Sequence, residues 1–360
     1  MDETKNKYIL YFINVFISGL VYSFMTSKLL SLGIHNSLII IFIASVVDLV
    51  ITYDTKKSHH FEQISPYIYS LISLLVFLLI CLINSTAQWF YLIVYSYLSF
   101  FFSIVTLFLQ TEILDYEQNV KLGFLNMQFM RSASKMIGFL LGILLEILSN
   151  DIYFLSILFL CFLANTIGLK NLNWSSNKKI EKKVQLLIKE KKAYILLGVF
   201  STATVLWIPL LTGSFNLHGL KTFSWIPFVL PGIFSMGLIH LQKKYRFLID
   251  SLFMEYSYIP LIICFFVLRM SNNFVILQSI LFSIITALSL SLSIKVRKYF
   301  LVVNDKNNNL YLLQTLSMSS SVFSLVFSML GGYRNYLESI LLIMCIFNII
   351  YMIIKKENYQ

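Results

Sequence analysis

Apolar residues run along this chain in blocks of about twenty. Blocks at 8–27, 36–53, 66–84, 89–111, 129–149 and 152–169 precede a polar stretch at 171–192. Six more follow, at 193–212, 222–240, 248–268, 273–294, 309–331 and 335–354. A helix needs about 20 apolar residues to cross the roughly 30 Å hydrocarbon core of a bilayer. Each block therefore predicts one transmembrane helix, twelve in all. The short connections from Asn84 to Gln88 and from Ser149 to Asp151 favour antiparallel hairpins. The fold class expected is all-α: a polytopic membrane protein with twelve transmembrane helices in two six-helix bundles. The bundles occupy 1–170 and 193–360, with a linker at 171–192.

The linker has a pattern of its own. Between Asn177 and Lys192, Ile180, Val184, Leu187 and Ile188 recur at i, i+4, i+7 and i+8 among many lysines. That spacing makes one apolar stripe on a basic helix, suited to lying along the inner membrane surface.

Polar positions inside the blocks are unevenly shared. The first block sets Tyr11, Asn14, Ser18 and Tyr22 on one helical face, and the fourth does the same with Tyr95, Ser99, Ser103, Thr106 and Gln110. The seventh carries Ser201, Thr204 and Trp207, and the tenth Ser279, Ser283, Thr286 and Ser293. The sixth and twelfth are almost uniformly Leu, Ile and Phe. Serine and threonine in a span often hydrogen-bond only their own backbone. Four polar faces at a regular interval of three argue instead for a shared central cavity, where polar groups escape lipid. The candidate substrate-binding residues are Asn14, Ser18, Tyr22, Tyr95, Ser99, Trp207 and Ser283, with Gln314 of the eleventh block. Small residues recur at Ser134, Gly138 and Gly142 in the fifth block. Gly232 and Gly237 stand with Pro227 and Pro231 in the eighth. Such faces permit close helix approach, and these two helices are expected to form the contact between the halves.

Composition narrows the function classes. Of 360 residues, 58% are hydrophobic and 12% charged, about half the charge of a soluble domain. A soluble enzyme, a secreted domain and a disordered chain are excluded. The net charge of +11 would suggest nucleic acid in a soluble protein. Here all but Lys28, Lys221, Arg269 and Arg334 fall on the side of the N-terminus. The excess of cations in cytoplasmic segments then puts both termini in the cytoplasm. No nucleic-acid partner is expected. The first block lacks a small-residue cleavage site, so no cleavable signal peptide is expected. Cys81, Cys161, Cys264 and Cys345 lie within apolar runs, and the five histidines are scattered. No metal, no nucleotide loop and no nucleophile setting is legible, so neither a cofactor nor enzymatic activity is expected.

A carboxylate inside a span costs roughly 2.5–3.5 kcal/mol on insertion scales, so its presence asks for a reason. Glu255, eight residues into the ninth block, and Glu146, near the outer end of the fifth, are the proton-coupling candidates. Asp48, Asp54, Glu112 and Arg131 lie near the inner ends of their helices and are read as a cytoplasmic gate latch.

Twelve spans as six plus six, a basic central loop and polar helices 1, 4, 7 and 10 resemble the major facilitator superfamily. Two segments add to this. One runs from Asp48 through Asp54 to Lys56 and Lys57, in the place of the family's acidic and basic loop after helix 2. The other runs from Thr111, Glu112 and Asp115 through Lys121 and Gly123 to Gly138 and Gly142. It resembles the family's passage from helix 4 into helix 5. Where antiporters of the family continue with Pro and a Gly pair, this chain has Ile143, Leu144, Leu145 and Glu146. The resemblance implies a cavity lined by helices 1, 4, 7 and 10, with 3, 6, 9 and 12 as outer support. It also implies alternating access about a midplane site.

The function expected is proton-coupled secondary transport that exports an amphipathic or hydrophobic compound. The 32 Phe and 21 Tyr suit a bulky, weakly polar or cationic ligand. The alternatives are an importer of a small solute, a membrane polysaccharide polymerase or flippase, and an immunity-type membrane protein. A polymerase would place charged catalytic residues in a sizeable external loop, whereas the longest here, 213–221, has one Lys and one His. The partners expected are a small-molecule or peptide substrate, protons and membrane lipids, with the chain a monomer. The location expected is the cell membrane, and the abundance of Ile, Lys and Asn points to a bacterial one.

Overall fold

Where the structure describes the apolar blocks, they are almost wholly helical. The computed structural model describes residues 3–31, 38–57, 64–82, 88–117, 120–148, 151–172, 208, 211–215, 218–244, 263, 266, 267, 270, 274–300, 321, 322, 325, 326, 329 and 346. Six helices form the N-terminal part: α1 (Glu3–Ser31), α2 (Leu38–Lys57), α3 (Pro66–Leu82), α4 (Gln88–Tyr116), α5 (Val120–Ile147) and α6 (Asp151–Lys170). A short 3₁₀ turn, Lys221–Phe223, precedes α7 (Ile226–Lys244), and α8 (Val275–Phe300) follows. These eight helices match the first six, the eighth and the tenth blocks. The linker beyond Leu172 lies outside the described residues, as do most of the seventh, ninth, eleventh and twelfth blocks.

Among the described residues, Lys5–Thr26, Trp89–Leu114 and Ile152–Lys170 are long and apolar enough to cross a membrane. At 1.5 Å rise per residue, the 29 residues of α1 span about 44 Å, more than the hydrocarbon core. One boundary differs clearly from expectation. α5 starts at Val120, nine residues before its apolar block. Lys121, Gly123, Asn126 and Gln128 make this first part polar, so hydropathy reads it as a loop although it continues the same helix.

α1 is the hub of the N-terminal part, packing on α4, α5 and α6, with α5 its most extensive partner. Small residues explain that seam. A Cβ on Gly19 would lie 3.0 Å from the Lys135 carbonyl oxygen. On Gly138 it would collide with the Phe16 carbonyl and lie 2.9 Å from the Leu20 amide; on Gly142 it would strike Ser23 Oγ and the Leu20 carbonyl. Residue numbers ascend together along the seam, so α1 and α5 run parallel, as first and fifth crossings must. The fifth and eighth helices were expected to meet between the halves, and α5 does touch α7, but the Ser134, Gly138 and Gly142 face itself is buried against α1. The reason is that α1 offers its backbone at Phe16 and Leu20, and only glycine lets two backbones approach so closely.

The contact between the first six helices and α7 uses a neighbouring face of α5. A Cβ on Gly232 would sit 2.8 Å from Met136 Cβ, and the Lys243 ammonium lies 4.8 Å from the centroid of the Phe129 ring. Here the numbers run in opposite senses, so α7 is antiparallel to α5. Among the described residues, nothing lies within 4 Å of the would-be Cβ of Gly237. Pro231 stands inside α7, where its missing amide donor relaxes the helix next to Gly232.

The lipid-facing side is apolar. Ile152, Leu160 and Ile167 of α6 are 74%, 62% and 55% exposed, and Ile68, Leu71, Ile72, Leu75 and Leu78 form an exposed stripe on α3. In a soluble protein such stripes would be an aggregation hazard; against acyl chains they are the favourable surface. α3 and α6 pack on each other, and Ser70 and Thr166 share a hydrogen bond of 2.6 Å between them.

Candidate functional site

The polar faces of α1 and α4 meet each other before they meet anything else. Gln110 Nε2 donates to the Tyr11 hydroxyl at 3.1 Å. Asn14 Nδ2 donates to Thr106 Oγ1 at 2.7 Å and lies 3.3 Å from the Phe102 carbonyl oxygen. These bonds knit the two helices, which lipid tails alone would not do. Ser18 donates to the Val15 carbonyl at 2.8 Å, and Ser283 to the Ser279 carbonyl at 2.6 Å. Much of the polarity read from the sequence is thus spent on helix packing and on the helices' own backbones.

Some of it is left over. Among the described residues, Asn14 Oδ1, the Tyr22 hydroxyl and Thr286 Oγ1 are buried with no hydrogen-bond partner. An unsatisfied buried polar atom costs about 1–3 kcal/mol, so a function is the natural reason to keep one. Tyr22 stands where four helices converge. Its ring centroid lies 6.5 Å from Tyr95 of α4, 5.8 Å from Phe139 of α5 and 6.3 Å from Phe228 of α7. Phe228 packs with Ile208, Leu211 and Phe282, so the first and second halves of the chain touch through aromatic and aliphatic surface around one hydroxyl. Ser99 hydrogen-bonds the Tyr95 side chain.

A charged cluster adjoins this aromatic one. Ser103, near the middle of α4, donates a short hydrogen bond to Asp48 Oδ1 of α2. Arg131 and Lys135, one turn apart on α5, both act electrostatically on Asp48. Asp48 in turn acts on Tyr95. Asp48, Arg131 and Lys135 are each partly buried residues within their helices.

A separate ion pair closes the end of the bundle near the N-terminus. Lys7 Nζ lies 2.9 Å from Glu112 Oε2, with 1% and 9% of the two side chains exposed. Beside it, the Tyr8 hydroxyl donates to Glu117 Oε1 at 2.6 Å. Glu112 is nine residues beyond Ser103 on α4, a rise of about 13 Å. The four residues read as one latch therefore divide: Asp48 and Arg131 belong to the mid-helix cluster, and Glu112 pairs with Lys7. Asp54 acts electrostatically on Tyr69 of α3.

Trp207, Gln314 and Glu255 lie outside the described residues. Glu146 lies on α5, but its side chain is outside them too. Sequence reasoning missed Lys135 and Lys7, which it grouped with the loop cations. A signal for Lys135 was present: Arg131, Lys135 and Phe139 fall at i, i+4 and i+8, one stripe of α5. Among the described residues no group of three or more His, Cys, Asp or Glu could hold a metal ion.

Tyr22→Phe tests the leftover hydroxyl. Because it deletes a buried unsatisfied group, it should leave thermal stability unchanged or raise it slightly, while lowering binding or transport severalfold. A fall in melting temperature would mean that the hydroxyl has a structural partner.

No protein-family model matches this sequence, and no curated protein matches it. Solved structures do. The nucleoside transporter NupG, crystallised as a point mutant, superposes with a TM-score of 0.62 at 11% identity, covering 96% of this chain and 99% of its own. A bacterial homologue of the iron transporter ferroportin, in an outward-facing state, gives a TM-score of 0.63 at 11% identity, covering 98% and 99%. At such identity the likeness speaks for the fold alone, and it runs the length of both molecules. It supports an all-helical, multi-pass fold of the kind these two proteins share.

Proposed function

We propose that this chain is a secondary active transporter, proton-coupled, that exports an amphipathic or hydrophobic small molecule from the cell by alternating access. The observation that carries the reading is the end-to-end fold likeness to two transporters, met by a polar, partly unsatisfied centre where α1, α4, α5 and α7 converge. Two bundles, 1–170 and 193–360, would rock about that centre, each state opening it to one side of the membrane. The aromatic contacts of Tyr22 and Phe139 with Phe228 suit such a motion. They are dispersive and non-directional, so they can part and reform without stranding a hydrogen bond. The Lys7–Glu112 pair fits the latch role at the cytoplasmic end, with both termini on that side.

Alternating access needs an energy source. One charge moving through 100 mV contributes about 2.3 kcal/mol, enough to concentrate a solute appreciably. Glu255 and Glu146 remain the candidates for carrying the proton.

The test is flux in proteoliposomes holding the full chain under an imposed pH gradient, screened over classes of amphipathic compound. Accumulation that a protonophore collapses is the expected result. If no class moves faster than in empty liposomes, the transporter reading falls. Glu255→Gln should abolish proton-driven accumulation; undiminished gradients in that variant would remove Glu255 from the coupling.

A further inference from the structure

The mid-helix cluster is not electrically balanced. Among the described residues, the charges that act on Lys135 are Arg131, of like sign, and Asp48, of opposite sign. Two basic groups against one carboxylate leave, among the described residues, a formal surplus of one positive charge, twelve and sixteen residues into a helix that starts at Val120. Placing charge at such depth is costly, and ionisable groups there generally pair or face a cavity. Each of the three residues keeps part of its surface accessible.

Next to the surplus charge lies an apolar wall. Phe139 is one turn beyond Lys135 on the same stripe and touches Tyr22 and Phe228. Tyr22 in turn faces Tyr95, which feels the Asp48 charge. A bound molecule would thus meet aromatic rings at one end and a guanidinium with an ammonium at the other. Guanidinium and ammonium donors match carboxylate or phosphate oxygens, the guanidinium in bidentate fashion.

We infer that this site takes an amphipathic anion, its negative group held between Arg131 and Lys135 and its apolar body against Tyr22 and Phe139. This rests on the transporter reading and names the substrate class for it. It also reverses the sequence expectation of a weakly polar or cationic ligand. Aromatic rings do attract cations, but a cation entering here would meet a field of its own sign, at a depth where water screens it little.

The experiment uses the full chain in lipid nanodiscs and three probes of one shape: 2-naphthoate, the neutral 2-naphthamide and the cationic 2-naphthylmethylammonium. Binding is read from the ligand-dependent shift of the thermal unfolding midpoint. Naphthoate should bind at least about tenfold more tightly than either partner, the size expected when charged hydrogen bonds are lost. Lys135→Gln and Arg131→Gln should each weaken naphthoate by about tenfold, and Lys135→Arg should restore it to within about threefold. Asp48→Asn removes the competing carboxylate and should tighten naphthoate, an effect that a merely structural role would not produce. If Lys135→Gln does not fold, Lys135→Arg and Asp48→Asn still decide. The inference is overturned if the amide or the ammonium binds as well as naphthoate, if none of the three binds, or if Asp48→Asn weakens naphthoate. Transport of a cationic cargo by the wild-type chain would sink this inference alone. Naphthoate binding without flux of any compound would instead sink the transporter reading.

Discussion

Glu112→Leu alone should destabilise the protein by about 3–5 kcal/mol, and Lys7→Met alone by a similar amount, because each breaks a buried ion pair from one side. The double variant Lys7→Met/Glu112→Leu should recover most of that loss. Removing both charges also removes the desolvation that the pair must overcome, and two apolar side chains fill comparable volume. The pair lies 2.9 Å apart with little of either side chain exposed, which is what makes the single and double variants differ. Unfolding of the detergent-purified chain, followed by fluorescence-detected size exclusion over a temperature ramp, measures all four members of the cycle. If the two single effects simply add in the double variant, the ion pair is not the unit that the geometry describes. A further readout bears on the latch. If Lys7–Glu112 holds the cytoplasmic end shut, the double variant should fold well and yet show altered flux.

Gly138→Ala should destabilise by about 1–3 kcal/mol, the usual cost of overpacking, and Gly138→Val by more. The added Cβ would meet backbone, the Phe16 carbonyl and the Leu20 amide at 2.9 Å, and backbone cannot swing aside as a side chain can. The seam between α1 and α5 would have to open along its length. Gly237→Ala is the matched control, since nothing stands within 4 Å of its Cβ position. It should be neutral, or stabilising by up to about 1 kcal/mol through helix propensity. Opposite signs for two glycine-to-alanine changes in one bundle are the expected pattern. A Gly138→Ala protein that melts with the wild type would mean that the α1–α5 spacing can relax.

How far the sequence carried depends on which physical constraint was acting. Lipid demands about twenty apolar residues per crossing, so α1, α2, α3, α4 and α6 lie close to their hydropathy blocks. α5 does not, because a helix that leaves the membrane keeps its hydrogen bonds while losing its apolar character, and hydropathy sees only the second. The glycines on α5 announced a close approach, but a small-residue stripe says nothing about which helix comes close. The partner proved to be α1, while Gly232 of α7 found Met136. The charges were the least legible. A lysine near the start of an apolar block reads as a loop cation, and Lys135 was grouped that way until the helix was seen to begin fifteen residues before it.

The linear pattern carries a one-dimensional property: how many residues in a row tolerate lipid. It follows from the chain's exchange with its solvent, which acts residue by residue. Only the tertiary structure decided which polar groups are spent on each other and which are left over. Asn14 and Tyr22 lie on one face of α1 and read alike in the sequence. Yet the Asn14 amide nitrogen is engaged by Thr106 and the Phe102 carbonyl, and the Tyr22 hydroxyl by nothing. That difference depends on the approach of α4, some ninety residues away, and so no local pattern can contain it.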